Sequence, residues 1–242
     1  MTLDLRCYVI TDDTSRRALN AAVAAAGAGA GVVQVRAKHS STRELVEFAG
    51  TVADAVHRAN PGTRVLVDDR ADVAFALRRS AKQVHGVHLG PDDLCPWDAR
   101  ALLGQDAIIG VTTSTLDMVH RANDMADVVD YAGAGPYRPT PTKDTGRPPL
   151  EVDGYRPLVL ASHLPVVAIG GVSPADVSDL ADTGIAGVAL VRAVMQASDP
   201  GAVVRAVLRA IDQADANTRH ASYRSDPSLT VRVVGGPGST AP

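Results

Sequence analysis

Short apolar, β-rich runs alternate with longer helical patterns along almost the whole chain, and this alternation restricts the fold more than any other feature of the sequence. Residues 7–11, 32–36, 64–67, 86–89, 107–112, 128–132, 166–169 and 187–191 read as buried strands. Helical patterns follow at 16–28, 41–59, 70–79, 96–103, 115–125, near 155–161, after Ser173-Pro174 and at 200–212. Ser41 with Glu44 makes a capping box, and Ser173-Pro174 supplies an N-cap with a proline at the first helical position. Eight strands, each followed by a helix in a single domain, predict an α/β fold: one (β/α)8 TIM barrel. A doubly wound open sheet is the alternative, but it usually has fewer strands and often carries a glycine fingerprint. Gly27, Gly29 and Gly31 do not make one, because they follow their helix and Val32 stands at the third required position. The pattern fails from Gln213. The barrel is therefore expected over residues 1–212 and a flexible C-terminal tail over 213–242, disordered from Asn217.

Composition removes several classes of partner. A formal net charge of −3 and a pI near 6.1 give no electrostatic footprint for nucleic acid or an anionic membrane. With aromatic residues at 3%, no base-stacking surface is expected. Cys7 and Cys95 are too few for a disulfide framework. No basic segment followed by an apolar one opens the chain, and no apolar run is long enough to span a bilayer, so a cytoplasmic protein is expected. A homo-oligomer is left open.

In a barrel of this kind, chemistry gathers at the carboxyl ends of the strands. Unusual polar residues gather there too. Period-two alternation sends Gln34, Arg36 and Lys38 the same way at the end of the second strand. Asp68-Asp69-Arg70 ends the third, His88-Leu-Gly-Pro-Asp-Asp93 the fourth, and Thr112-Thr113-Ser114 the fifth. The sixth runs into a loop of glycines, prolines, Thr140, Thr142 and Lys143, whose backbone N–H groups, hydroxyls and ammonium suit an oxyanion. Gly170-Gly171 follows the seventh strand, and Val191-Arg192 follows the eighth.

These residues suggest two anion sites. Gly170-Gly171, with backbone N–H groups after the eighth strand, suits a phosphate. Arg36, Lys38 and Lys143 form the other. Asp69 and Asp93, from adjacent strands, are candidates to share Mg²⁺, which takes oxygen ligands and substrate phosphate oxygens. A substrate pair carrying one phosphate and one diphosphate follows. Each residue alone has a plainer explanation: a strand-end cation is more often solvated, and Asp69 beside Arg70 suits a helix cap. His88 is expected to be structural, while His57 and His120 are expected on helix surfaces.

Together the motifs resemble the thiamine phosphate synthase family. Gly135-Pro-Tyr-Arg-Pro-Thr-Pro-Thr-Lys143 is similar to its G-P-x-x-x-T-x-T-K loop and is the most specific match. Gln34-Val-Arg-Ala-Lys38 resembles Q-L-R-E-K, Asp68-Asp-Arg70 resembles N-D-R, His88 to Asp93 resembles H-L-G-Q-x-D, and Ile169-Gly-Gly-Val172 resembles I-G-G-I. The resemblance implies an enzyme that joins a pyrimidine diphosphate to a thiazole phosphate and releases pyrophosphate. It implies Gln34 on the pyrimidine, with Arg36, Lys38, Thr112 and Lys143 on the diphosphate as catalytic groups. Asp68 would line the same substrate site, Asp69 and Asp93 would bind Mg²⁺, and Thr140 and Thr142 would touch the thiazole. Its phosphate would sit at Gly171, near Val191 and Arg192. Ala37, Asp68, Pro91, Thr112 and Ser114 depart from the family's usual Glu, Asn, Gln, Ser and His. The acid missing at position 37 is expected to be restored at position 68. A thiazole tautomerase of the same fold and a non-catalytic sensor of a thiamine precursor are the alternatives. The intact Thr-x-Thr-Lys loop favours the synthase, and Ser114 removes one proton-transfer candidate from the tautomerase.

Overall fold

A computed structural model describes residues 3–140 and 148–225, so Thr142 and Lys143 lie outside the described residues. Eight strands close into a barrel in chain order, with every neighbouring pair parallel: β1 (Cys7–Ile10), β2 (Val32–Val35), β3 (Arg64–Asp68), β4 (Gly86–Leu89), β5 (Ile108–Thr113), β6 (Tyr131–Ala134), β7 (Val166–Ile169) and β8 (Gly187–Leu190). This is the expected (β/α)8 architecture. No helix of the described residues is long and apolar enough to cross a membrane.

Two apolar layers hold it together. Leu5, Tyr8, Ile10, Val32, Leu66, Tyr131, Val167 and Ala189 fill the barrel interior. Val and Ala side chains on the other strand faces pack outward against the helices. Each large aliphatic side chain taken from water contributes about 1.5–3 kcal/mol, which favours a fully closed sheet with no edge.

The helices are α1 (Arg16–Gly27), α2 (Thr42–Ala59), α3 (Ala71–Arg79), α4 (Pro96–Leu103), α5 (Leu116–Asn123), α6 (Glu151–Ala161), α7 (Val177–Ala181), α8 (Arg192–Met195) and α9 (Pro200–Ser225). Helix α1 buries Ala18, Ala21, Ala22, Ala25 and Ala26, small residues that let it pack closely on the barrel. The Ser41–Glu44 capping box opens α2 as expected. Ser173 and Asp176 cap a short 3₁₀ turn, Pro174–Asp176, that leads into α7.

Several boundaries shift from those read in the sequence, and two of the shifts have a plain local cause. Strand β6 begins at Tyr131 rather than Val128. The N–H groups of Val128 and Val129 bond back to the Met125 carbonyl in a turn, so these buried valines precede the strand. Helix α9 continues past Asp212 to Ser225, so residues 213–225, including those from Asn217, are helical where disorder was expected from Asn217. An apolar period is needed to dock a helix, but not to prolong one already nucleated, and alanine, glutamine and arginine propagate it well.

Candidate functional site

At the carboxyl end of the barrel lies a cavity of about 700 Å³. Gln34, Arg36, Lys38, Asp68, Asp69, Asp93, Thr112, Thr140, Gly171, Val191 and Arg192 all line it. Every site residue expected from the sequence and lying within the described residues is thus brought to one rim.

The charges are paired rather than free-standing. Arg36 Nε lies 3.3 Å from Asp68 Oδ2, and both side chains are largely buried. The Arg36 backbone is fixed by Thr11, whose hydroxyl accepts from Arg36 N at 2.9 Å. Lys38 Nζ stands 2.9 Å from Asp69 Oδ2. Asp69 itself sits at φ 61°, a left-handed conformation uncommon outside glycine, and its N–H donates to the His88 carbonyl at 2.8 Å. Asp93 accepts from Gly90 N at 2.6 Å. Burial pushes the Asp93 carboxyl above its usual range, and the neighbouring Asp69 carboxyl adds to the effect. Two carboxyl groups therefore face each other across the third and fourth strand ends.

That pair fits a hard divalent cation. Among the described lining residues, the carboxylates Asp68, Asp69, Asp92 and Asp93 outnumber the cations Arg36, Lys38 and Arg192. Asp69 with Asp93 is an all-oxygen donor pair of the kind Mg²⁺ takes. No group of three or more His, Cys, Asp or Glu poised for a metal occurs among the described residues.

The wall that carries Gly170 and Gly171 is built from two loops laced together. Tyr137 N donates to the Ile169 carbonyl at 2.8 Å, and Arg138 N to the Gly170 carbonyl at 2.9 Å. Gly170 and Gly171 have φ of 94° and 76°, and a Cβ on Gly170 would lie 2.8 Å from Pro136 Cα, so glycine is required by both conformation and contact. Arg138 stacks 4.6 Å over the Tyr137 ring and bonds Asp176 at 2.6 Å. Burial alone would push Asp176 up, but the Ser173 hydroxyl and N–H and the Arg138 guanidinium hold it below the usual carboxylate range.

Sequence reasoning missed the floor of the cavity. His88, expected to be structural, lines the cavity, with Nδ1 2.9 Å from Tyr131 OH and Nε2 3.1 Å from Thr112 Oγ1. Tyr131 OH is 2.7 Å from Tyr8 OH, which donates to Gln34 Oε1 at 2.5 Å, and Gln34 Nε2 donates to Asp68 Oδ1. The period-two pattern could have placed these side chains inward, but no local signal links them. The expected exchange of an acid between positions 37 and 68 also meets different surroundings. Ala37 packs against the apolar layer beneath the helices, whereas Asp68 faces the cavity. Ser114 Oγ is committed to the Gly135 carbonyl at 2.6 Å.

A family model described as thiamine monophosphate synthase matches residues 7–194. The thiamine-phosphate synthase of Corynebacterium jeikeium is 56% identical over 214 residues, covering 88% of this chain and 98% of that protein. That of Corynebacterium efficiens is 53% identical over 208 residues, covering 86% and 95%. Among solved structures, thiamine phosphate pyrophosphorylase from Pyrococcus furiosus superposes with a TM-score of 0.75 at 30% identity, covering 88% of this chain and 98% of that one.

Proposed function

The chain belongs to the thiamine monophosphate synthase family and is a transferase, and on that premise we propose that it couples a pyrimidine diphosphate to a thiazole phosphate, giving thiamine phosphate and pyrophosphate. The observation that carries this reading is the convergence of Arg36, Lys38, Asp69, Asp93 and Gly171, from separate strand ends, on one cavity. A pool with paired carboxylates at one side and a glycine-lined loop at the other suits one ligand bound through a metal and a second bound through its phosphate.

The chemistry needs little from general acids or bases. The bond between the pyrimidine methyl carbon and the diphosphate oxygen breaks with its electron pair leaving on oxygen, and the thiazole nitrogen donates its lone pair to the resulting carbocation. Arg36 and Lys38, with Lys143 from the β6–α6 loop, stabilise the charge that grows on the departing diphosphate. Their partners Asp68 and Asp69 hold them in place beforehand. Asp69 and Asp93 would hold Mg²⁺, which when bound supplies Lewis-acid neutralisation of the diphosphate oxygens. Gln34 would orient the pyrimidine. Thr140 and Thr142 would flank the thiazole, while Gly171 with the backbone at Val191 and Arg192 receives its phosphate. Thr112 borders the leaving-group region. The protein's contribution is alignment of two reactants and fixed charge, terms that together lower barriers by several kcal/mol or more.

A discontinuous assay decides the matter. Purified protein with both substrates and Mg²⁺ should release pyrophosphate and thiamine phosphate in equal amounts, and neither should form when one substrate is omitted. Isomerisation of the thiazole phosphate alone, or tight binding without turnover, would replace this reading with a tautomerase or a sensor.

A further inference from the structure

Asp68 begins a chain of hydrogen bonds whose direction can be worked out atom by atom. Its Oδ2 pairs with Arg36 Nε, and a carboxylate held by a guanidinium is ionised and can only accept. Gln34 must therefore turn its amide N–H toward Asp68 Oδ1, which leaves Oε1 facing Tyr8. Tyr8 OH, 2.5 Å from that oxygen, must donate to it. A phenol has one hydrogen, so the 2.7 Å contact between the two tyrosines is donated by Tyr131. Tyr131 has then spent its own hydrogen. Its 2.9 Å contact with His88 requires a hydrogen on Nδ1. Burial raises the pKa of both phenols well above the usual tyrosine range, so each keeps the single hydrogen this count assumes. In a neutral imidazole Nε2 is now a lone pair, and Thr112, 3.1 Å away, donates to it.

We propose that Asp68 is a positioning residue that polarises this relay from end to end, fixing His88 as the Nδ1–H tautomer and committing the Thr112 hydroxyl hydrogen to His88. Asparagine at the same place would not do this, because an amide can donate or accept and lets every downstream group reverse. The consequence for catalysis rests on the synthase reading above: Thr112 meets the leaving group as an acceptor. A diphosphate oxygen therefore meets Thr112 through a hydrogen or a bound cation between them. Gln34 likewise shows the pyrimidine a fixed donor and acceptor order instead of a reversible one.

Long-range ¹H–¹⁵N spectra of the uniformly labelled full-length protein at about pH 9, where imidazoles are neutral, read the tautomer directly. The His88 signals are assigned by their loss in His88→Gln. Wild type should show Nδ1–H. Asp68→Asn should raise the ratio of Nε2–H to Nδ1–H at least ~5-fold, the shift set by one net hydrogen bond. Tyr8→Phe, which cuts the relay without touching the cavity's charges, should do the same and covers the case of a poorly folded Asp68→Asn. In a Tyr131→Phe background, Asp68→Asn should no longer move the His88 signals, because the connection is gone. An Nε2–H tautomer in wild type overturns the proposal. So does an unchanged ratio in both Asp68→Asn and Tyr8→Phe, or a shift that survives in the Tyr131→Phe background. The spectra are taken without substrate, so they test the relay whether or not the synthase assay succeeds.

Discussion

Gly110→Ala perturbs the barrel floor at the point where it has no slack. Gly110 lies opposite Tyr131 in the β5–β6 register. A Cβ at 110 would fall 2.1 Å from Tyr131 Cζ and 2.3 Å from its hydroxyl oxygen, far inside any tolerable contact. The ring cannot step aside easily, since it is 1% exposed, with the Tyr8 ring centroid 5.7 Å away and the His88 ring centroid 5.6 Å away. Overpacking of this kind costs about 1–3 kcal/mol, and displacing Tyr131 forfeits its two hydrogen bonds at about 1 kcal/mol each. Loss of glycine's freedom in the unfolded chain returns about 0.4–1 kcal/mol, leaving a net destabilisation of about 2–4 kcal/mol. At about 2–4 °C per kcal/mol for a chain of this size, Tm should fall by about 5–15 °C. Urea unfolding followed by circular dichroism supplies the free energy, and an unchanged m-value shows that the loss is in the native state. Adding Tyr131→Leu removes the colliding atoms, so the double variant should be more stable than the sum of the singles by at least ~1.5 kcal/mol. A loss below ~1 kcal/mol for Gly110→Ala, or strict additivity in that cycle, would refute the account of a filled barrel centre.

Arg100 is buried and donates to the carbonyls of Gly104, Gln105, Ala107 and Val128 and to Asp130. Arg100→Met should therefore cost about 3–5 kcal/mol in urea unfolding, because the fixed acceptors lose their donor; a neutral result would show that these acceptors find other donors. His85 accepts from Val65 N, and burial together with Arg64 and Arg78 pushes its pKa down to about 4. The unfolded chain takes up the proton first, so the neutral ring adds stability above pH ~6.5 that drains away as pH falls toward 4, about 1–2 kcal/mol after allowing for partial exposure. His85→Asn should flatten the dependence of Tm on pH between ~4.5 and ~7, and an unchanged slope would remove His85 as its source. Asp93→Asn should raise the Mg²⁺ concentration for half-maximal activity by at least ~10-fold, while EDTA abolishes turnover in wild type; activity indifferent to chelation would dismiss the carboxylate pair as a cation site.

Much of this molecule was legible before any coordinates. The eightfold alternation implied the barrel, and period-two spacing sent Gln34, Arg36 and Lys38 to one rim. The capping box at Ser41 and the strands at 86–89 and 166–169 stand where the sequence put them. All these signals are local, set within a few residues by strand pleat, helix capping or backbone sterics. The tertiary structure decided the rest. Tyr8 and Tyr131 are 123 positions apart in the chain, and their hydroxyls meet only because the sheet closes. Closure likewise made Asp68, at the cavity wall, the partner of Arg36 and Gln34, and drew His88 into the same wall. Direction in a hydrogen-bond chain depends on which groups touch. One-dimensional order gives the donors and acceptors, whereas only the three-dimensional fold gives their sequence of contact.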